Sequence, residues 1–251
     1  MGLRSIWLGF FGSTECSISG RLDGLVAVVT GANTGIGLQL TAELARRGAR
    51  VIMACRSEEK FQSASSYLLL EYGEQNGQTN NQQLTEIKPE QLLFEQLDLA
   101  SFESVKQSAL SLSSKGLTVN FVVNNAGVLL TNQQAEKELT PDGFNYHLQV
   151  NFLSPLLFTL LLLPLLPTDG SARIVFTTSV LRHLARLESR NLTSSSGGLL
   201  GARTYAQSKL LATACSRQLA KHLKAKNIRV VSVDPGIVRT NLVREPGWIW
   251  N

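Results

Sequence analysis

Residues 25–37, LVAVVTGANTGIG, decide the fold of this chain. The apolar, β-branched run at 25–29 predicts a strand that is buried on both faces, as in a parallel sheet. Gly31, Gly35 and Gly37 follow in the spacing G-x-x-x-G-x-G, which permits a tight turn and close approach of the backbone to a pyrophosphate. Apolar residues then recur at every fourth position, which predicts a helix whose positive N-terminus faces the same point. Strand, turn and helix together predict half of a dinucleotide-binding unit.

Strand-like and helix-like segments alternate along the rest of the chain. The apolar runs that predict further strands lie at 49–55, 92–97, 119–123, 172–178 and 228–233. Predicted helices cover about 57–72, 101–114 and 204–223. A long apolar helix is expected to start after Thr140-Pro141, because proline suits a first helical turn. This alternation predicts an α/β fold: a Rossmann-type, doubly wound parallel sheet of about six strands with helices on both faces.

The length of 251 residues suits one domain. We predict an N-terminal arm at 1–23 and a single domain at 24–251, with a surface insertion rich in Asn and Gln at 73–91. Cys16, Cys55 and Cys215 are too few and too scattered for a disulfide framework or a metal cluster, so a reduced, intracellular compartment is expected.

The net charge of +5 raises the question of a nucleic-acid partner. The clearest basic cluster, at 221–229, coincides with the end of a predicted helix, where cations are favourable. No interleaving of basic and aromatic residues accompanies it. We therefore expect no nucleic-acid partner.

Two apolar stretches bear on membrane contact. Residues 6–11, IWLGFF, are shorter than the apolar region of a secretory signal, and peripheral docking through this segment stays open. Residues 152–166, FLSPLLFTLLLLPLL, fall short of the about 20 residues that cross a bilayer and contain two prolines. A buried core helix is the expectation for this second stretch.

The end of the second predicted strand bears on cofactor choice. An acidic residue there binds the adenosine 2′-hydroxyl, whereas an arginine accommodates a 2′-phosphate. The chain has Cys55, Arg56 and Ser57 at this point. This favours NADP(H) over NAD(H), with NAD(H) still allowed and an ordinary surface arginine as the alternative.

Tyr205, Lys209 and Ser179 carry the candidate chemistry. Tyr205 and Lys209 are four positions apart and share one face of a predicted helix. A phenol is a poor acid–base catalyst at neutral pH unless a nearby positive charge stabilises phenolate, which a lysine one turn away does. Ser179 follows a predicted parallel strand, at the edge where open α/β sheets bind ligands, and could donate to a substrate oxygen.

Five motifs stand in order along the chain: TGANTGIG at 30–37, NNAG at 124–127, Ser179, YAQSK at 205–209 and PG at 235–236. Together they resemble the short-chain dehydrogenase/reductase family over about residues 20–245. These versions, with ACRS, LDLAS and DPGIVRT, are most similar to the retinol-dehydrogenase-like branch. The resemblance implies an enzyme that acts with NADP(H) or NAD(H) on alcohols and carbonyls of retinoids, steroids and other lipids.

The resemblance also implies roles for matching positions. Tyr205 would donate or accept the proton, Ser179 would orient the substrate oxygen, and Lys209 would hold the nicotinamide ribose and lower the tyrosine pKa. Asn151 would hold a proton-relay water; the alternative is a polar residue bonded within a helix bend. No role is assigned to His147, and no metal is expected. The residues expected at the cofactor are Gly31, Asn33, Thr34, Gly35, Ile36, Gly37, Arg56, Asp98, Leu99, Asn124, Ala126, Gly127, Tyr205, Lys209, Pro235, Gly236 and Thr240.

One departure from the family keeps two functions open. Members normally continue through a substrate-covering helix and a seventh strand, whereas this chain stops at Asn251, so the domain is expected to be C-terminally short. The first function is an NADP(H)-dependent oxidoreductase for a small hydrophobic alcohol or carbonyl, in the cytoplasm or on the cytoplasmic face of the endoplasmic reticulum. The second is a non-catalytic NADP(H)-binding regulatory or scaffold protein. A homodimer through the helices that carry Asn151 and Tyr205 is also open.

Overall fold

A six-stranded parallel sheet forms the centre of the computed structural model, which describes residues 20–74, 76, 83–130, 139–185, 202–236, 238 and 242–244. The strands, in chain order, are β1 (Val26–Thr30), β2 (Arg50–Cys55), β3 (Leu92–Gln96), β4 (Phe121–Asn124), β5 (Leu129–Leu130), β6 (Arg173–Thr177), β7 (Arg229–Val233) and β8 (Val243–Arg244). The main sheet has the order β3-β2-β1-β4-β6-β7, and β5 pairs with β8 separately. Because the strand order reverses between β1 and β4, a crevice opens there at the carboxyl ends of the strands.

Helices cover both faces of this sheet. They are α1 (Gly35–Arg46), α2 (Glu58–Tyr72), α3 (Phe102–Ser114), α4 (Tyr146–Leu148), α5 (Ser154–Leu162) and α6 (Ala202–Leu223). Alternate residues of β1 enter opposite layers: Val28 joins a cluster with Phe158 of α5, and Ala27 and Val29 join a second cluster with Ala42 of α1. A strand buried on both faces reads as a continuous apolar run, as residues 25–29 do. The predicted doubly wound α/β fold is confirmed.

The long apolar helix does not begin where the sequence predicted. Pro141 lies in a turn in which the Thr140 N–H donates to the Phe144 carbonyl at 2.8 Å. The helix begins at Tyr146, because the Asn145 side chain caps it by accepting from the Leu148 N–H at 3.2 Å. The prediction of a helix start at the proline was therefore wrong.

The apolar helical stretch Tyr146–Leu165 has the length and composition of a membrane-crossing segment, but 44% of its most apolar window is buried in the fold. Phe158 and Leu162 are fully buried in the same core cluster as α3, as expected for a core helix. One such helix is weak support for a span, because core helices of soluble proteins have the same composition. The other apolar stretch, 6–11, lies outside the described residues.

Candidate active site

The glycine turn after β1 allows a bound molecule to come close to the backbone. Gly31 and Gly35 adopt left-handed φ values of +65° and +53°, which L side chains rarely adopt. A Cβ on Gly37 would lie 2.3 Å from the Gly31 carbonyl oxygen, so only glycine fits there. At the start of α1, the Thr34 side chain makes no capping hydrogen bond and the first turn holds no acidic residue. This helix end therefore suits an anion such as a pyrophosphate.

Thr30 ties this turn to the loop after β4. Its hydroxyl accepts hydrogen bonds from the backbone N–H groups of Asn125 and Ala126, at 3.1 and 3.0 Å. In return, the Asn125 amide donates to the Thr30 carbonyl at 3.0 Å. These bonds hold the segment before Gly127 beside the glycine turn, because Thr30 is buried and cannot rotate into solvent.

A cavity of about 490 Å³ opens at the carboxyl ends of the strands, beside this turn. That volume suits a small-molecule or cofactor site. The residues predicted at the cofactor that line it are Gly31, Asn33, Arg56, Asp98, Leu99, Ala126 and Gly127. Thr34, Gly35, Ile36 and Gly37 form the adjoining start of α1.

Other residues predicted at the cofactor do not line this cavity, among them Tyr205, Lys209, Pro235 and Gly236. The Asn124 side chain is buried and donates to the Thr159 hydroxyl at 2.8 Å, so it points to the α5 side and does not line the cavity. Thr240 lies outside the described residues. Pro235 and Gly236 follow β7, where the Gly236 N–H donates to the Asp234 carboxylate at 3.1 Å.

Tyr205 and Ser179 meet at the same edge of the sheet. Tyr205 is only 3% exposed, and its phenol interacts with the Ser179 side chain. Burial raises the Tyr205 pKa above its usual value, the Ser179 hydrogen bond lowers it, and the Asp234 charge raises it. The net effect is to keep the phenol protonated at neutral pH.

Lys209 links this pair to the cavity floor. Its Nζ lies 5.7 Å from the centroid of the Tyr205 ring and donates to the Thr177 carbonyl at 2.9 Å. A Cβ on Gly127 would lie 3.2 Å from Lys209 Nζ, so the lysine adjoins the glycine that lines the cavity. Burial lowers the Lys209 pKa to about 8, which leaves the amine mostly charged at neutral pH.

Asn151 stands in a π-helical turn, Gln149–Leu153, that joins α4 to α5. Its side chain exchanges two hydrogen bonds with the Val128 backbone, at 2.8 and 3.0 Å, and donates to the Ser208 hydroxyl at 3.1 Å. The Ser208 hydroxyl donates onward to the Tyr205 carbonyl at 2.7 Å. Asn151 therefore connects the cavity wall to the helix that bears Tyr205, and π-turns of this kind occur often at functional sites.

His147 contacts the tyrosine, although the sequence analysis gave it no role. Its Nε2 accepts from the Leu130 N–H at 2.9 Å, so the proton sits on Nδ1, which donates to the Thr204 hydroxyl at 2.8 Å. The ring meets Tyr205 edge-on, with centroids 6.1 Å apart. Burial, and then the Lys209 charge, lower the His147 pKa to about 4, so the ring is neutral. Its position one helical turn before Asn151 was the signal that could have identified it.

Comparisons with known proteins identify the family of this chain. The family model of short chain dehydrogenases matches residues 25–247. Retinol dehydrogenase 12 of Bos taurus is 39% identical over 235 residues, which cover 94% of this chain and 68% of that protein. A solved structure of an uncharacterised protein from Mycobacterium paratuberculosis superposes with a TM-score of 0.69 at 29% identity, covering 89% of this chain and 72% of that one.

A second solved structure, a short chain dehydrogenase from Shigella flexneri 2a in complex with NADP, has a TM-score of 0.64 at 25% identity. It covers 89% of this chain and 82% of that one. These relationships do not favour the non-catalytic alternative. The chain therefore belongs to the short-chain dehydrogenase/reductase family, in its retinol-dehydrogenase-like branch, and is an NAD(P)-binding oxidoreductase that acts on CH–OH groups.

Proposed function

We propose that the protein is an NADP(H)-dependent oxidoreductase for a small, hydrophobic alcohol/carbonyl pair, with Tyr205 as the acid/base. The observation that carries the proposal is that Ser179 and Lys209 lie beside the Tyr205 ring, at the carboxyl edge of a parallel sheet. When bound, the nicotinamide supplies or accepts the hydride. The proton transfer and the orientation of the substrate oxygen are assigned to side chains of this protein.

In the direction of carbonyl reduction, Tyr205 donates its phenolic proton to the substrate oxygen. Burial suits this role, because it raises the Tyr205 pKa and keeps the proton available at neutral pH. Ser179 donates a hydrogen bond to the same oxygen as negative charge develops on it. The Lys209 ammonium then stabilises the phenolate that remains. In alcohol oxidation the same proton moves back to Tyr205.

NADP(H) is assigned as the preferred cofactor because Arg56 lines the cavity at the end of β2. Its side chain is exposed and forms no ion pair within the described part of the chain, so it is available to a 2′-phosphate. The neighbouring cavity residues Asp98 and Leu99 are assigned to the adenine, and Gly31 with the α1 N-terminus to the pyrophosphate. Lys209 is assigned to the nicotinamide ribose, and Asn151 to a proton-relay water.

The substrate class follows from the relatives' chemistry. The name of the bovine relative, retinol dehydrogenase 12, supports a retinoid, steroid or other lipid-like substrate. We place this reaction in a single domain at 24–251. An intracellular location, in the cytoplasm or on the cytoplasmic face of the endoplasmic reticulum, suits such a substrate. Peripheral membrane contact and a homodimer belong to the same proposal.

Turnover with NADPH and NADH, measured over short aldehydes, retinal and steroid ketones, tests this function. We expect oxidation of NADPH that depends on a hydrophobic carbonyl and is slower with NADH. Fluorescence binding of NADPH without consumption over the whole panel would support the non-catalytic alternative instead. Flotation with liposomes, with and without residues 1–15, tests membrane contact separately.

A further inference from the structure

The carboxyl ends of β6 and β7 are joined by an ion pair beside the proposed catalytic groups. Arg182 Nη1 donates to the Asp234 carboxylate at 2.7 Å and to the Ser179 carbonyl at 2.9 Å. The two charged side chains are only 19% and 23% exposed. One guanidinium nitrogen therefore holds both the backbone of Ser179 and a carboxylate from the neighbouring strand.

Further bonds make this corner rigid. Thr178 donates to the Val233 carbonyl through both its backbone N–H, at 2.8 Å, and its hydroxyl, at 3.1 Å. The Ser179 hydroxyl accepts from the Leu181 N–H at 3.3 Å, which orients its remaining O–H. The Thr178 and Arg182 contacts therefore hold the backbone at Ser179, and the Leu181 contact restrains its hydroxyl.

We propose that Arg182 and Asp234 position Ser179 and balance the charge around the Tyr205 phenol. Arg182 fixes the Ser179 backbone, and its positive charge offsets the negative charge of Asp234. The proposal rests on the function assigned to Tyr205 above and extends it to two residues outside that set.

Side chains from several elements of the fold lie near the Tyr205 phenol. From α6 comes the Lys209 ammonium, and from α4 the edge of the His147 ring, which burial keeps neutral. From the end of β6 come the Ser179 hydroxyl and, behind it, Arg182. Among the described residues, Asp234 supplies the negative charge that raises the Tyr205 pKa. Removing only one member of the ion pair therefore changes the net charge near the phenol.

Arg182→Gln and Asp234→Asn are predicted to shift the pH dependence of kcat in opposite directions. Carbonyl reduction needs the protonated phenol, so kcat falls at alkaline pH as Tyr205 loses its proton; we call this fall the alkaline limb. In Arg182→Gln, Asp234 loses its counter-ion, so the Tyr205 pKa rises and the alkaline limb moves to higher pH. In Asp234→Asn, the Arg182 charge is uncompensated, so the limb moves to lower pH. We expect shifts of about 0.5 to 1 pH unit in each direction. In the double variant the two charge effects offset each other, so its limb lies between those of the two single variants.

Arg182→Lys separates charge from position. It keeps the positive charge but loses the planar fork that reaches two acceptors at once. We expect kcat to fall because Ser179 is held less well, while the retained positive charge beside Asp234 limits the movement of the alkaline limb. If a single neutral variant is unstable, Arg182→Lys and the double variant still test the proposal, since in both the limb must move by less than the about 0.5 to 1 pH unit expected for the loss of one charge.

The experiment measures kcat and kcat/KM against pH for these variants with NADPH and a carbonyl substrate. Asp23→Asn is the matched control, because it breaks the exposed Arg21–Asp23 pair and should leave the profile unchanged. A second measurement needs no turnover: the absorbance of phenolate is recorded after a rapid pH jump. Subtracting the signal of the same variant carrying Tyr205→Phe isolates the titration of Tyr205.

Opposite shifts in the two single variants, with the double variant between them, are the expected result. Folded variants whose limbs stay fixed, or move in the same direction, would overturn the proposal. The function proposed above fails in a different way, through full activity of Tyr205→Phe. The two failures are therefore distinguishable.

Discussion

The Tyr205 phenol interacts with the Ser179 side chain, and the two residues come from different elements of the fold. Ser179 lies two residues after the end of β6, and Tyr205 stands in the first turns of α6. They lie together because parallel strands bring their carboxyl ends to one edge, against which α6 packs. Lys209, one turn further along α6, lies beside the same ring. A substrate oxygen at this point would contact both hydroxyl groups.

Removing the Ser179 hydroxyl tests its role directly. Ser179→Ala is expected to lower kcat about 100-fold, because a preoriented donor to the developing oxyanion is lost. The alkaline limb should also move to higher pH, since the Ser179 hydrogen bond lowers the Tyr205 pKa. Steady-state kinetics over pH measure both effects. Ser63→Ala, which removes a hydroxyl from exposed α2, is the control, and equal kinetics for both variants would contradict the role.

Gly37→Ala tests the glycine turn. The added Cβ would lie 2.3 Å from the backbone oxygen of Gly31 and 2.6 Å from the Asn125 amide. A backbone oxygen cannot move without opening the turn, so we expect cofactor binding to be lost in fluorescence titrations. Gly116→Ala is the control: its φ is +61° with open space around it, so it should cost about 1 kcal/mol of stability and leave cofactor affinity intact.

Cofactor preference is predicted to depend on Arg56. Arg56→Ala should weaken NADPH binding about 10- to 100-fold, because a charge-assisted contact to the 2′-phosphate is lost. Binding of NADH, which lacks that phosphate, should change little. Arg50→Ala is the matched control, since it removes an exposed arginine from the opposite end of the same strand. An equal loss for both cofactors would remove Arg56 from phosphate recognition.

His147 makes stability depend on acid pH. Its pKa is about 4 in the fold, lowered from 6.5 by burial and then by the Lys209 charge. Between these two values the unfolded chain binds more protons, so the free energy of unfolding falls as the pH drops. We expect a loss of about 2 kcal/mol between pH 7 and pH 5 from this residue.

Urea unfolding at both pH values measures this loss. His147→Gln should remove it, whereas His222→Gln, which changes a histidine at the exposed end of α6, should retain it. The prediction is contradicted if the wild type and His147→Gln lose the same free energy between pH 7 and pH 5.

The sheet was predictable because its strands are locally encoded. The apolar run at 25–29 and the later runs become strands within one or two residues of the predicted bounds. In β1 and β2, burial on both faces demands unbroken apolar sequence. The glycine turn was equally predictable, because Gly31 and Gly35 adopt backbone angles that few other residues tolerate. Predicting the strands and the glycine turn requires no information about residues far away in the sequence.

Contacts between distant residues were not predictable in this way. The cap from Asn145 overrode the proline signal at Pro141, because a side-chain hydrogen bond at the new N-terminus outweighs a weak positional preference. The Arg182–Asp234 pair joins two strand ends that become neighbours only after the sheet forms. Likewise, the Asn124 amide turns to Thr159, a partner on a helix far along the chain.

Carbonyl-dependent NADPH oxidation by Tyr205→Phe tests the proposed chemistry most directly. The phenyl ring fills the same buried space but carries no proton, so kcat should fall about 100-fold or more while NADPH affinity stays within error. Tyr67→Phe, on the exposed face of α2, should match the wild type. If Tyr205→Phe turns over as fast as Tyr67→Phe, Tyr205 is not the proton donor and the proposed mechanism is wrong.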